Sequence, residues 1–137
     1  MKKKRVLVLL LIAAVCLGLY SLGAVRGNTM FTIQTIESPG EHSRASVRDA
    51  MRMVKKEFRN EYEGCTLLTL YYDPVRTEKE TKPEEADEMI VLGCTFYTGL
   101  YDVNVLPVWG ANQIHKGYGW KLCRYGDRWV IESRGYA

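Results

Sequence analysis

The sequence predicts an α+β fold: one long helix packed across a curved antiparallel β-sheet of four to five strands, preceded by an N-terminal hydrophobic helix. Residues 43–65 carry a strong helical periodicity, and the segments that follow them alternate or cluster apolar residues as β-strands do. A one-faced sheet and an amphipathic helix each leave an apolar surface uncovered. The two predicted elements therefore complete a single core, in the form of an α+β roll.

The N-terminal segment predicts export from the cytoplasm. Four basic residues, Lys2 to Arg5, precede an apolar run over residues 6–25, which at about 1.5 Å per helical residue is long enough for a bilayer core. Basic flanks stay on the cytoplasmic side, which makes the rest of the chain extracytoplasmic. Three fates stay open: an uncleaved membrane anchor, a signal removed near Ser21 and Gly23, or lipidation of Cys16. Residues 1–28 are thus one unit with its linker, and residues 29–137 form a single domain.

Charge and cysteine content exclude some classes of partner. The chain has 19 basic and 16 acidic residues, but five of the bases, Lys2 to Arg5 and Arg26, flank the apolar run. The remaining 14 bases and 16 acids give the domain a net charge of −2, so no nucleic-acid partner is expected. Cys65, Cys94 and Cys123 lie in the domain. They are expected to be small buried thiols, although Cys94 and Cys123 could pair if their strands are neighbours.

The first elements of the domain are a strand and the long helix. Residues 30–36 alternate apolar with polar side chains, which predicts a strand with Phe31 and Ile33 on the core side. Ser43 or Ser46 can cap the helix, and Gly64 can end it. The predicted apolar stripe of this helix consists of Val47, Ala50, Met51, Val54, Phe58 and Tyr62.

The remaining sequence predicts strands and loops. Residues 66–72 and 89–97 are strand-like, and the second of these is apolar on both faces, as in a central strand. Residues 75–87 are rich in charged residues and proline and are expected to form a solvated loop. Residues 120–125 and 128–132 flank Gly126 and Asp127 and predict a hairpin. Between the predicted strand of residues 89–97 and this hairpin, residues 98–117 predict a long connection, or else a long hairpin folded onto the sheet.

Several short motifs resemble a family of small exported proteins, mostly from Gram-positive anaerobes, that carry a domain of unknown function. The motifs are the serine-led helix ending in residues 63–67, then residues 70–73, 86–92, 119–122 and 128–131. The resemblance implies a cystatin-like or nuclear-transport-factor-2-like roll and an exported location, and it transfers no catalytic residues. The chain differs at Tyr72, in a stretch where the family is expected to have a tryptophan-tyrosine pair.

The sequence contains no recognisable catalytic or metal-binding motif. The two histidines, His42 and His115, stand outside any metal-ligand spacing, and His42 is expected to be an exposed loop residue. Cys65 follows the end of the helix, where the dipole disfavours a thiolate. We therefore expect no catalytic residue, no metal and no cofactor.

Binding residues are expected in the loops and on the open side of the roll. The loop of residues 98–117 is the strongest candidate, because loops carry binding functions and this one has apolar content. The predicted binding residues are Tyr71, Tyr72, Asp73, Asp102, Trp109 and His115.

The leading hypothesis is a membrane-associated or secreted module without catalytic machinery, which binds an unknown protein or small ligand. Its main alternative is a small pocket enzyme of the isomerase or dehydratase type that uses Asp73, Asp102 or His115. A third is a structural protein of the cell envelope.

Overall fold

The computed structural model describes residues 1–99 and 109–136, without the side chains of residues 20–25. These residues form three helices and five strands. In chain order they are α1 (Lys2–Val25), β1 (Ile33–Thr35), α2 (Arg44–Glu61), β2 (Thr66–Tyr72), α3 (Pro74–Lys79), β3 (Glu88–Tyr97), β4 (Ile114–Tyr125) and β5 (Arg128–Gly135). The α+β class is confirmed.

The five strands form one mixed sheet in the order β1-β2-β3-β4-β5. Strands β2 to β5 are antiparallel neighbours, but β1 runs parallel to β2, with Ile33 opposite Thr69. The prediction of a purely antiparallel sheet is therefore wrong. The helix α2 carries the chain back along the sheet between β1 and β2, and a crossover of that kind joins parallel strands.

Helix α2 begins at a serine cap and buries one stripe of side chains. The Ser43 hydroxyl accepts a hydrogen bond from the backbone N–H of Ser46 at 3.0 Å, which identifies Ser43 as the cap. After the helix, Gly64 has a φ of 74°, a conformation that glycine adopts without steric cost. The buried side chains are those that the helical spacing predicts, Val47, Ala50, Met51, Val54 and Phe58, followed by Tyr62.

The core lies between α2 and one face of the sheet and is rich in aromatic rings. Trp120 and Leu122 on β4 lie opposite Leu92 and Ile90 on β3, and all four are fully buried. Tyr62 stacks on Phe58 with a centroid distance of 4.6 Å and donates its hydroxyl proton to Tyr118 at 3.1 Å. The predicted hairpin is confirmed, with strands longer than expected.

The N-terminal helix α1 is apolar, and its side chains from Val6 to Leu19 are exposed. Across the part of the chain that the structure describes, no helix is long and apolar enough to cross a membrane. The prediction of a transmembrane anchor is thus not confirmed. The segment after α1 is hydrogen bonded to the domain: Gly27 donates to the Arg59 carbonyl at the end of α2, and Asn28 donates to the Cys65 carbonyl.

Strand β1 differs from its prediction in length and orientation. It has three residues instead of seven, and Phe31 and Ile33, predicted to be in the core, are 83% and 65% exposed. Among the apolar residues of the predicted strand, residues 30–36, only Ile36 packs against the core. The reason is position, because β1 lies at one edge of the sheet, outside the strands β2, β3 and β5 against which α2 packs.

Helix α3 occupies part of the segment predicted as a solvated loop. Asp73 caps it by accepting a hydrogen bond from the Arg76 backbone N–H at 3.0 Å, and Pro74 takes the first helical position. The Thr77 hydroxyl oxygen accepts a hydrogen bond from the backbone N–H of Val91 on β3. Aspartate followed by proline ends a strand and also begins a helix, and the sequence prediction used only the first property.

Candidate functional site

A groove of about 830 Å³ lies at the N-terminal end of α2. Its walls come from the loop before α2, the end of β2, helix α3, the start of β3 and the end of β4. Small-molecule sites in proteins usually have volumes of about 300–1,000 Å³. The groove is therefore large enough for a small ligand.

His42 and Glu88 form the closest polar contact in this groove. The His42 Nδ1 atom lies 2.7 Å from a Glu88 carboxylate oxygen, and the side chains are 17% and 12% exposed. The other Glu88 oxygen accepts a hydrogen bond from Nε of Arg124 at 3.1 Å. Glu88 begins β3 and Arg124 stands opposite it on β4, so the sheet register holds this pair together. The turn in which His42 donates its backbone N–H to the Pro39 carbonyl brings the imidazole to them.

The Glu88 carboxylate is held in its ionised form. Burial opposes ionisation, but hydrogen bonds from His42, Arg124 and Ser46 outweigh it and lower the pKa of the Glu88 carboxyl group. An ionised carboxylate only accepts hydrogen bonds, so the Nδ1 atom of His42 carries the proton. In the neutral ring, Nε2 is then an acceptor, and no residue of the described ranges hydrogen bonds to it.

Tyr72 forms the wall beside His42. Its side chain is 9% exposed, its ring meets the imidazole edge to face at 5.9 Å, and its hydroxyl group lies next to Gly40. Burial is the largest of the effects that raise the pKa of the Tyr72 hydroxyl, so the group stays protonated at neutral pH. The groove therefore offers a hydroxyl group close to an imidazole.

Some charged side chains of the groove have a partner in the protein and others do not. The Lys82 ammonium group contacts the Ala86 carbonyl, and Arg124 also donates to the Gly126 carbonyl. Glu80 pairs with Lys121 at 3.0 Å. Among the residues that the structure describes, Glu41 and Glu78 have no ion-pair partner. The uncompensated charge on the lining is therefore negative.

The five predicted binding residues that the structure describes do not come together. Tyr72 lines the groove, but the Tyr71 ring lies against Gly93 on the other face of the sheet. Asp73 caps α3 and pairs with Arg76 at 3.5 Å. Asp102 lies outside the described residues, and Trp109 and His115 lie at the opposite end of β3. The five described residues therefore lie in different parts of the fold, and a binding role for any of them stays a prediction.

His115 belongs to an aromatic cluster, which we define as Phe96, Trp109, His115, Tyr118 and Tyr136. The imidazole stacks on Phe96 at 5.0 Å, and its Nδ1 atom lies 2.6 Å from the Tyr136 hydroxyl oxygen. Its Nε2 atom is buried and has no hydrogen-bond partner in the described structure. Trp109, from the predicted binding loop, packs against Tyr62 and Phe96. This end of the sheet therefore uses its aromatic residues for packing.

His42 is the groove residue that the sequence interpretation missed. It was expected to be an exposed loop residue, but it is largely buried and pairs with a carboxylate 46 positions later in the chain. No local spacing links two residues that far apart. The pairing of Glu88 with Arg124 is likewise a register between distant strands, so the sequence carried no signal for this contact.

The three domain cysteines are free and buried. Cys94 lies opposite Tyr118 and Cys123 opposite Met89, so these cysteines are not cross-strand partners even though β3 and β4 are neighbours. Burial raises the pKa of Cys65 to about 11 and that of Cys94 to about 12. Thiols of this kind are poor nucleophiles at neutral pH.

Within residues 1–99 and 109–136, no group of three or more metal-ligating side chains occurs. Comparisons of the chain with protein-family models, with curated proteins and with solved structures found no match. The resemblance to an exported family therefore stays a prediction.

Proposed function

We propose that this chain is an exported domain that binds a small molecule in the groove at the N-terminal end of α2. The observation that carries the proposal is the groove itself, with the His42 acceptor nitrogen and the Tyr72 ring on its wall. Export is proposed from the basic residues and the apolar run at the N-terminus. A protein partner and a structural role in the envelope are the competing proposals.

The two histidines provide a matched test of the ligand site. We would measure the thermal unfolding of the full chain with a panel of small amines, carboxylates, sugars and nucleosides. A compound that binds the folded state raises the unfolding temperature. The stabilisation should decrease in His42→Gln and persist in full in His115→Gln. A stabilisation that is lost only in His115→Gln would place the ligand site at the aromatic cluster. A stabilisation that is retained in both variants would contradict binding in the groove.

A pull-down and mass spectrometry test whether the chain has a protein partner and whether it is exported. A pull-down from envelope extract that recovers one stoichiometric protein, together with no stabilising compound, would contradict the small-ligand proposal. Mass spectrometry of the chain from cell fractions tests export. A chain that begins near Ala24 indicates cleavage, an acylated Cys16 indicates lipidation, and a full-length chain in the cytoplasm contradicts export.

The second candidate is an enzyme that moves protons, as isomerases and dehydratases do. The 2.7 Å contact between His42 Nδ1 and Glu88 favours it, because a carboxylate at one ring nitrogen makes the other nitrogen a better proton acceptor. Asp73, which the sequence offered as a base, is engaged as a helix cap. Exchange of carbon-bound hydrogen with deuterated water, followed by NMR for each stabilising compound, would separate the two candidates. Exchange that requires His42 favours the enzyme, and stabilisation without exchange favours the binding domain.

A further inference from the structure

The His42 ring limits which chemical groups can bind beside it in the groove. The ionised Glu88 carboxylate holds the proton at Nδ1, and Arg124 holds the carboxylate from its other side. A neutral His42 therefore presents only a lone pair at Nε2. A molecule that satisfies this nitrogen must donate an N–H or O–H proton.

The charge of the lining narrows the choice further. The two cations of the groove, Lys82 and Arg124, donate to protein oxygens, whereas Glu41 and Glu78 have no ion-pair partner in the described residues. Like-charge contact disfavours an anionic ligand beside these carboxylates, and opposite charge favours a cation. An ammonium group combines a positive charge with the N–H donors that Nε2 requires.

We infer that the groove binds a small organic ammonium compound and that protonation of His42 releases it. This inference rests on the proposed function and adds to it the class of ligand and its control by pH. Protonation turns Nε2 from an acceptor into a donor and places a positive charge beside the bound cation. Both changes weaken binding. The titratable or charged groups that line the groove with His42 are Glu41 in its own loop, Tyr72 on β2, Glu78 on α3, Glu80, Lys82 and Asp87 between α3 and β3, Glu88 on β3 and Arg124 on β4.

The test uses three probes with the same carbon chain and different charge: butylammonium, butanol and butyrate. Binding to the full chain is measured by calorimetry at pH 8 and at about pH 5.5, an interval in which exposed carboxylates stay ionised and histidine ordinarily titrates. Butylammonium should bind at least about tenfold more tightly than butanol at pH 8, and butyrate should not bind up to about 10 mM. The affinity for butylammonium should fall about tenfold at the lower pH.

The variants assign this pH response to one residue. His42→Gln keeps a side-chain acceptor that does not titrate, so any remaining butylammonium binding should be independent of pH. His115→Gln removes the other histidine of the chain and should keep the full pH response. A pH response that persists in His42→Gln, or disappears in His115→Gln, would overturn the role of His42.

The probes also separate the inference from the proposed function. Butyrate or butanol binding as tightly as butylammonium would overturn the inference while leaving a small-molecule groove in place. The same holds if no probe binds but another compound stabilises the chain through His42. If no compound of any class stabilises the chain, both proposals fail.

Discussion

The two ends of the sheet each hold one histidine, and the surroundings of the two rings differ in kind. His42 pairs with the Glu88 carboxylate in a groove whose other charged residues come from loops, helix α3 and strand β4. His115 stacks on Phe96 and hydrogen bonds to the Tyr136 hydroxyl group. Both rings use Nδ1, but only His42 has a fixed charge beside that atom. The same residue type is therefore part of a polar site at one end and of a packed aromatic cluster at the other.

The largest effect should come from the aromatic end. Phe96→Ala removes a fully buried ring that contacts Phe58, Tyr62 and His115, and it should lower the free energy of unfolding by about 3–5 kcal/mol. Chemical denaturation measures this change. Phe31→Ala is the matched control, since the Phe31 side chain is 83% exposed and should cost less than about 0.5 kcal/mol. Equal losses for the two variants would contradict the assignment of the core.

A smaller effect is expected from the polar contact at the groove end. Glu88→Gln removes the anion between His42 and Arg124, and it should lower the free energy of unfolding by about 1–3 kcal/mol at pH 7. Glu132→Gln is the control, because its carboxylate contacts the Tyr125 hydroxyl group at an exposed position. A loss for Glu132→Gln that equals the loss for Glu88→Gln would contradict a special role for the groove pair.

The Glu88 contact also predicts how stability depends on pH. The carboxyl group has a lower pKa in the folded chain than in the unfolded chain, so its contribution is fully present above the unfolded value of about 4.3. That contribution disappears as the pH falls through the folded value. The wild type should therefore lose more stability than Glu88→Gln between about pH 5 and pH 2 in denaturant titrations. Parallel curves for the two proteins would show that the pair does not favour the ionised form.

The smallest of these effects concerns the start of α2, at the groove. Ser43→Ala removes the side-chain acceptor of the Ser46 N–H and should lower the free energy of unfolding by about 1 kcal/mol. Ser38→Ala, at an exposed position before the helix, should be close to neutral. A neutral Ser43→Ala would show that another group satisfies the first turn.

The difference between the two ends also explains what could be predicted. The helical stripe, the central strand β3 and the hairpin follow from local periodicity and turn residues, so the sequence predicts them well. Strand β1 was misjudged because alternation of side chains predicts a strand without showing whether a helix covers its apolar face. The groove was missed because His42, Tyr72 and Glu88 belong to three separate segments.

The sequence by itself determined the α+β class, the glycine stop after α2 and which side chains of that helix face the core, and it narrowed the N-cap to Ser43 or Ser46. These features depend on neighbours within about four positions along the chain. Only the tertiary structure decided that β1 runs parallel to β2 and that His42 meets Glu88 and Arg124. Such contacts depend on how distant segments are brought together. A histidine in a polar loop therefore became part of a groove that its local sequence does not reveal.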